Sequence, residues 1–415
     1  MASEKAIKPD GGSFPIKDSV IIGLISFLSL VDLFGPQAIA PALTAAYNVS
    51  KSTMGFAINA STIGMAIAGF AVALTAKALD KRMGIWLCLL LLVIPTLSLA
   101  YVTNINAFIG LRVLQGILMA VAFTLTMAYI AENCSPSKAV GAMAAYITGN
   151  VLSNLAGRFI SANVAEAFGA NSIFYLLAAL NLAGAILAMA YIGRSDKAVQ
   201  AETKLDDRPD LFCAEEAARV CGVWYQHLCN PRLVTSFIIG FIIMFIFIGA
   251  YTYVNYVLYD APYQLDTATL GLVYFVFLPS VFTTPIAGKV ASKIGVRETY
   301  WMSTIIAVIG LYALISGELI VVLIGLALLA MGLFFAQAVI TGFVGRAATQ
   351  ERAAASGLYL SSYYFGGLIG SIVVGRFYES FGWVLSVWFM IGTLVLSSVL
   401  ALMLRFDAAL EERHS

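Results

Sequence analysis

Long apolar runs alternate with short polar segments along the whole chain. Each run holds about 20 predominantly apolar residues, the length that an α-helix needs to cross the hydrocarbon core of a bilayer. Transmembrane β-strands need only about ten residues in an alternating pattern. The pattern therefore predicts an all-α membrane protein with twelve transmembrane helices. The predicted spans are residues 19–41, 53–76, 84–103, 105–131, 139–162, 171–193, 233–258, 268–288, 299–316, 319–344, 353–377 and 381–404.

The composition agrees with a chain that lipid surrounds. Of its 415 residues, 60% are hydrophobic and 11% are charged, whereas soluble domains carry about 25% charged residues. A water-soluble protein of this size would have too few charges to cover its surface. The formal net charge is only +1, so no nucleic acid or other polyanionic partner is expected.

The basic residues set the expected orientation. If the N-terminus lies inside, all but four of the 24 basic residues fall in inner segments, as the positive-inside rule requires. The exceptions are Lys51 in an outer loop and Arg112, Arg158 and Arg376 within or at the ends of helices. A miscount by one helix would destroy this asymmetry. Both termini are therefore predicted to be cytoplasmic.

The two halves of the chain resemble each other. Residues 156–159 (AGRF) match residues 374–377 (VGRF), and Gly149 falls opposite Gly366. Such glycines are expected where helices approach closely. We predict an N-terminal six-helix bundle over residues 1–193, a linker over 194–232 and a C-terminal six-helix bundle over 233–415. Two parallel halves of this kind place a binding cavity between them, near the bilayer midplane.

The linker allows two interpretations. Its first part, residues 194–210, is polar, and its second part, residues 211–228, has the composition of a short amphipathic helix at the membrane surface. The whole segment is equally compatible with a plain cytoplasmic linker.

Two motifs carry a family resemblance. The fourth predicted helix contains Arg112-x-x-Gln115-Gly116, and the loop after the eighth contains residues 288–297, GKVASKIGVR. Both are similar to motifs of the major facilitator superfamily, although Ser292 occupies the usual aspartate position of the loop motif. The corresponding loop of the first half, residues 77–84, is more degenerate.

A second group of residues narrows the resemblance. Residues 147–150 (ITGN) and 356–364 (SGLYLSSYY) are similar to the YnfM-type branch, whose members are described as arabinose-efflux-like permeases and drug:proton antiporters. The proline-containing signature in helix 5 of ordinary drug:proton antiporters is absent. The resemblance implies two pseudo-symmetric six-helix bundles, proton coupling and a location in the bacterial inner membrane. We also expect a monomer.

Asp32 and Arg112 are the candidates for proton coupling. Asp32 lies about 14 residues into the first predicted helix, roughly 20 Å from the inner face, where a charge costs about 3 kcal/mol. The fourth predicted helix begins at the outer face, and Arg112 lies far enough along it to reach a depth in the membrane similar to that of Asp32. We expect the two side chains to pair, and the family resemblance implies the same role for Arg112. The alternatives are a structural hydrogen bond for Asp32 and an arginine that binds backbone carbonyl groups.

Amide and aromatic side chains on several predicted helices are candidates for solute binding. Facing a cavity, such groups could surround a semi-polar ligand without a fixed charge, although tyrosines near helix ends are also ordinary interface anchors. Arg158 and Arg376 are predicted to lie at outer helix ends with a structural role. The candidate binding residues are Gln115, Asn150, Tyr253, Asn255, Tyr256, Gln337 and Tyr363 or its neighbour Tyr364.

These observations favour a secondary active transporter. The chain has no GxxxxGK[ST] loop, so ATP is not the expected energy source, and it has no zinc spacing or nucleophile triad that would indicate an enzyme. We expect no cofactor and no metal. The leading hypothesis is proton-coupled efflux of a small organic solute by alternating access. The alternatives are proton-coupled import of a small organic anion, with Arg112 as the anion site, and a membrane sensor or scaffold that does not transport.

Overall fold

The structure is a computed structural model, and it describes residues 16–75, 80–133, 136–192, 225–348 and 352–404. Within these residues the chain folds into helices and turns without a β-strand, which confirms the predicted fold class. The spanning helices are α1 (Ile16–Ala38), α2 (Lys51–Asn59 and Ser61–Thr75), α3 (Lys81–Leu99), α4 (Ile105–Asn133), α5 (Pro136–Phe168), α6 (Ser172–Ile192), α7 (Pro231–Tyr259), α8 (Thr267–Val273, Leu278–Thr283 and Ala287–Ile294, joined by 3-10 turns), α9 (Val296–Ala313), α10 (Leu319–Ala347), and α11 and α12 (together Arg352–Leu400, divided at Gly382).

Most of these helices qualify as membrane spans by length and composition alone. Nine stretches of the described residues do so, and one of them, Ala354–Met403, contains both α11 and α12. The two remaining helices are α5 and α9. Helix α5 carries Asn150, Asn154 and Arg158, polar residues that a purely apolar span would lack.

Local sequence explains where several helices begin and end. The Asp80 carboxylate accepts hydrogen bonds from the main-chain N–H groups of Arg82 and Met83 and so caps α3, as short acidic side chains do at helix N-termini. Asn230 caps α7 in the same way. Gly382 adopts a φ of 79°, a conformation that glycine tolerates, and this turn separates α11 from α12.

The internal repeat appears in the packing of the two halves. Helix α1 lies along α5, and α7 lies along α11 in the corresponding place of the second half. A Cβ atom added at Gly149 would stand 2.0 Å from the Gly23 carbonyl oxygen, and one at Gly366 would stand 2.1 Å from the Phe241 carbonyl oxygen. Equivalent glycines therefore permit equivalent helix contacts in the two bundles.

The linker between the bundles is described only at its end. Residues 225–229 are helical, while the rest of the predicted amphipathic segment lies outside the described residues, as does part of the loop at 77–84. A short helix, Ala40–Tyr47, connects α1 to α2. It lies at the end of the molecule predicted to face outside, which is called the outer end below.

Candidate functional site

The Asp32 carboxylate lies inside the N-terminal bundle, away from lipid. Its side chain is fully buried. Its Oδ1 atom accepts a hydrogen bond of 2.9 Å from Thr96 Oγ1 on α3 and one of 3.0 Å from Gln115 Nε2 on α4. Its Oδ2 atom has no hydrogen-bond partner among the described residues. Asp32 therefore keeps one acceptor site unused although it is shielded from solvent.

Arg112 donates all five of its side-chain N–H groups to acceptors other than the Asp32 carboxylate. Its Nε and Nη2 atoms donate to the Ile58 carbonyl oxygen at 2.9 and 2.6 Å, and Nη2 also donates to Ser61 Oγ at 3.1 Å. Its Nη1 atom donates to the Asp32 main-chain oxygen and to Gln115 Oε1, each at 2.8 Å. A guanidinium has five N–H donors, so none remains for a direct pair with the Asp32 carboxylate.

Breaks in two helices make these carbonyl oxygens available. The Asp32 carbonyl would normally accept from the N–H group four residues later, but that residue is Pro36, which has none. The Ile58 carbonyl lies beside the turn at Ala60 that divides α2. Arg112 therefore replaces missing helical hydrogen bonds and joins α1, α2 and α4.

The predicted Asp32–Arg112 pair is consequently bridged and not direct. The Gln115 side chain donates to the Asp32 carboxylate and accepts from Arg112. Gln115 was predicted to bind solute, but in the structure it forms the link between these two residues. The expectation of a direct pair is corrected because backbone carbonyl groups occupy the guanidinium.

Tyr253, Asn255 and Tyr256 lie where the two halves meet at the outer end. Asn255 Nδ2 donates to the Gln37 carbonyl oxygen of α1 at 2.9 Å, and the Tyr256 hydroxyl lies 2.8 Å from Thr44 Oγ1. A Cβ atom at Gly55 of α2 would meet the Tyr253 hydroxyl oxygen at 2.2 Å. These three candidate residues therefore hold the halves together and do not line the central cavity.

Further bonds strengthen this outer closure. Lys51 Nζ lies 2.6 Å from Asp260 Oδ2, and the Ser52 N–H group donates to Glu379 Oε1 at 2.7 Å. These contacts join the start of α2 to the end of α7 and to α11. The structure therefore represents a conformation that is closed at the outer end.

A small cavity lies between the halves near the middle of the helices. Its volume is about 40 Å³, enough for a few water molecules but too small for an organic solute. The candidate residues Asn150, Gln337, Tyr363 and Tyr364 line it. The other lining residues are Leu30, Leu33, Phe34, Val151, Asn154, Met244, Phe247 and Phe334.

Arg158 is the residue at which the sequence prediction differs most from the structure. It was expected at an outer helix end, yet α5 continues for ten more residues and the Arg158 side chain is fully buried. It hydrogen-bonds Asn154 Oδ1 and Gln37 Oε1. Its repeat counterpart, Arg376, is exposed. The spacing of Asn154 and Arg158, which places both on one face of α5, was the only local signal of this site.

The fold and this arrangement define a multi-pass membrane transporter with two helical bundles around a central cavity. The family model of the Major Facilitator Superfamily matches residues 22–278 and 259–415. The chain belongs to this superfamily, whose members are transporters and not enzymes.

Three known proteins illustrate the similarity. The inner membrane transport protein YnfM of Escherichia coli K12 is 25% identical over 85% of this chain and 81% of its own length. The multidrug resistance efflux pump PmrA of Streptococcus pneumoniae is 31% identical, but only over 35% of this chain and 34% of its own. A D-xylose–proton symporter structure shares the fold with a TM-score of 0.70 and 15% identity, covering 93% of this chain and 96% of that one.

Proposed function

We propose that this transporter couples the movement of a small organic solute to protons and exports the solute by alternating access. One observation carries the proposal. Asp32 is a buried carboxylate whose Oδ2 atom accepts no hydrogen bond from the described residues, and the two residues that follow it, Leu33 and Phe34, line the central cavity. A proton bound at Asp32 would therefore act within one helical turn of the solute.

The proton would act through the residues that hold α1. In the ionised state Asp32 Oδ1 accepts from Thr96 and Gln115, and Gln115 in turn accepts from Arg112. A proton on the Oδ2 atom removes the negative charge that strengthens acceptance at Oδ1, so the hydrogen bond from Gln115 weakens and its side chain is free to shift. Arg112 fastens α1 where Pro36 interrupts it, so a change at Gln115 alters the position of the last turn of α1.

The last turn of α1 reaches the outer closure. The Gln37 carbonyl accepts from Asn255, and the Gln37 side chain donates to Asn59 Oδ1 at 2.7 Å. Asn59 then donates to Thr252 Oγ1 of α7 at 3.1 Å. A shift of α1 would thus loosen or tighten bonds between the halves, as alternating access requires.

The direction of transport is inferred from similarity. PmrA is named as an efflux pump, and residues 147–150 and 356–364 resemble efflux-type permeases. We further propose a monomer in the bacterial inner membrane with both termini in the cytoplasm. The support is the distribution of basic residues and the similarity to YnfM, which is named as an inner membrane protein.

The test begins with a thermal-stability screen of the purified protein against metabolites and drugs, since a ligand that binds the folded form raises its melting temperature. Each stabilising compound is then added to proteoliposomes that contain a pH-sensitive dye. An antiporter should move protons opposite to the solute, whereas a symporter moves both in one direction. If solute crosses without any change in lumenal pH, proton coupling is wrong.

Import of a small organic anion is the second candidate function. Arg112 is poorly suited as the anion site, because its five N–H groups are already used inside the N-terminal bundle. A different cation, Arg158, lies beside the cavity and keeps this candidate open. Cells that lack the protein would accumulate more solute if it exports and less if it imports.

A further inference from the structure

Arg158 is a buried cation that has no counter-ion in the part of the chain that the structure describes. Among the described residues, no carboxylate lies within 4 Å of its guanidinium, and its Nε atom has no hydrogen-bond partner. Its two side-chain partners, Asn154 and Gln37, are neutral amides. Buried charges are normally paired, because an unpaired charge in a low-dielectric interior is unfavourable. An arginine kept in this state calls for an explanation beyond packing.

Aromatic rings surround this guanidinium. The Arg158 Cζ atom lies 4.5 Å from the centre of the Tyr274 ring and 5.0 Å from that of Phe34. Ring faces attract cations through their quadrupole, so the protein stabilises the charge without neutralising it. The remaining rings within 6.0 Å belong to Phe277, Phe247 and Tyr251.

This aromatic site is continuous with the central cavity. Asn154 accepts a hydrogen bond from Arg158 and also lines the cavity. The rings of Phe34 and Phe247 contact the Arg158 guanidinium and line the same cavity. Arg158 is therefore separated from the cavity by one layer of side chains. Asn150 lies one helical turn below Asn154 on α5 and continues the polar face into the cavity.

We propose that Arg158 binds the anionic group of the transported solute, which is a small organic anion with one carboxylate or sulfonate on a flat apolar body. Arginine presents a planar fork that matches such oxygen pairs, and the rings around it would contact the apolar body. The inference rests on the proposed function, because it assumes that the central cavity is the transport site.

Binding would also be linked to the outer closure. The cavity of about 40 Å³ cannot hold such a solute, so the aromatic residues must move apart first. The anion would then take the place of Gln37 or Asn154 at the guanidinium. Release of Gln37 frees a residue whose carbonyl accepts from Asn255 across the interface, so solute binding and outer closure would compete for the same groups.

The experiment measures binding of four probes of similar size to the purified full-length protein by thermal shift. Benzoate and benzenesulfonate are anionic, benzamide is neutral and benzylamine is cationic. We expect the two anions to stabilise the wild-type protein and the other two to have little effect. Equal stabilisation by benzamide, or no stabilisation by either anion, would overturn the proposal without reliance on any variant.

Three variants locate the effect. Asn154→Asp supplies a counter-ion at nearly constant shape and should weaken benzoate binding about 30-fold or more, as should Arg158→Gln. Arg376→Gln, in the exposed repeat counterpart, should leave binding unchanged. If Asn154→Asp and Arg158→Gln are both folded and bind benzoate as the wild type does, Arg158 is not the anion site.

The binding test is independent of proton coupling. Anion binding at Arg158 without solute-driven proton movement would refute the proposed coupling and leave this inference intact. Proton-coupled transport of a neutral or cationic solute would refute the anion site at Arg158 and leave the proposed coupling intact.

Discussion

Arg112 donates a hydrogen bond of 2.8 Å to the main-chain oxygen of Asp32, while the Asp32 carboxylate is contacted by Gln115 and Thr96. The arginine therefore holds the backbone of α1 at the point where Pro36 removes a helical donor. Its hydrogen-bonded link to the carboxylate passes through one amide side chain, that of Gln115. This arrangement separates two tasks that a direct ion pair would combine, namely bracing the helix and responding to a proton.

Replacement of Arg112 by lysine should destabilise the protein. A lysine ammonium has three donors on one atom and cannot reach the Ile58 and Asp32 carbonyl oxygens and Gln115 together. We expect a loss of about 3 kcal/mol or more, because buried acceptors lose their donors. The measurement is the thermal unfolding of the purified protein, with Arg376→Lys as the matched surface control. A loss no larger than in that control would contradict the bracing role.

Pro36 and Arg112 should be energetically coupled. The Pro36→Ala variant has a main-chain N–H group at position 36 that can donate to the Asp32 carbonyl oxygen. The hydrogen bond from Arg112 to that oxygen then contributes less to stability. A double-mutant cycle of Pro36→Ala and Arg112→Lys should give a coupling energy of about 1 kcal/mol, within the range seen for residues that share a partner. Strictly additive effects would mean that the two residues do not act on the same carbonyl group.

Asn255 should control the outer closure. Asn255→Ala removes the donor to the Gln37 carbonyl and the acceptor of the Tyr274 hydroxyl. The closed state should lose about 1–3 kcal/mol relative to the open state. Spin labels at Glu166→Cys and Glu318→Cys, which are exposed on different halves at the outer end, report the separation by pulsed electron paramagnetic resonance.

The control for this experiment is Asp260→Asn. It breaks the partly exposed ion pair with Lys51, and such surface pairs contribute about 0–1 kcal/mol. We expect longer label distances in Asn255→Ala and a distribution close to the wild type in Asp260→Asn. If Asp260→Asn lengthens the label distances and Asn255→Ala does not, the Lys51–Asp260 ion pair is the main contact that closes the outer end.

The sequence predicted the membrane fold well because its signals are local. Each apolar run is long enough to identify its helix without knowledge of the others. The glycine pair Gly149 and Gly366 marked helix contacts that the structure contains. Depth along a helix is also local, which is why Asp32 and Arg112 could be placed at similar levels before their contacts were known.

The candidate site was harder to predict because its contacts join distant segments. The choice of Arg112 between a carboxylate and backbone carbonyls depends on breaks at Pro36 and Ala60 in two other helices. The rings around Arg158 come from α1, α7 and α8, so no periodic pattern within one helix could predict that they meet. Tyr253 and Tyr256 were predicted as candidate binding residues, and the contacts that place them in the outer closure come from other segments of the chain.

The most direct test of the central claim compares two modes of transport by Asp32→Asn in proteoliposomes, using a solute from the stabilisation screen. Exchange of labelled for unlabelled solute needs no net proton movement, whereas uptake driven by an imposed pH gradient does. We expect Asp32→Asn to retain exchange and to lose gradient-driven uptake, while Glu166→Gln, an exposed acid at the outer end, retains both. Wild-type uptake by Asp32→Asn with an undiminished response to the gradient would contradict the claim that this carboxylate carries the proton.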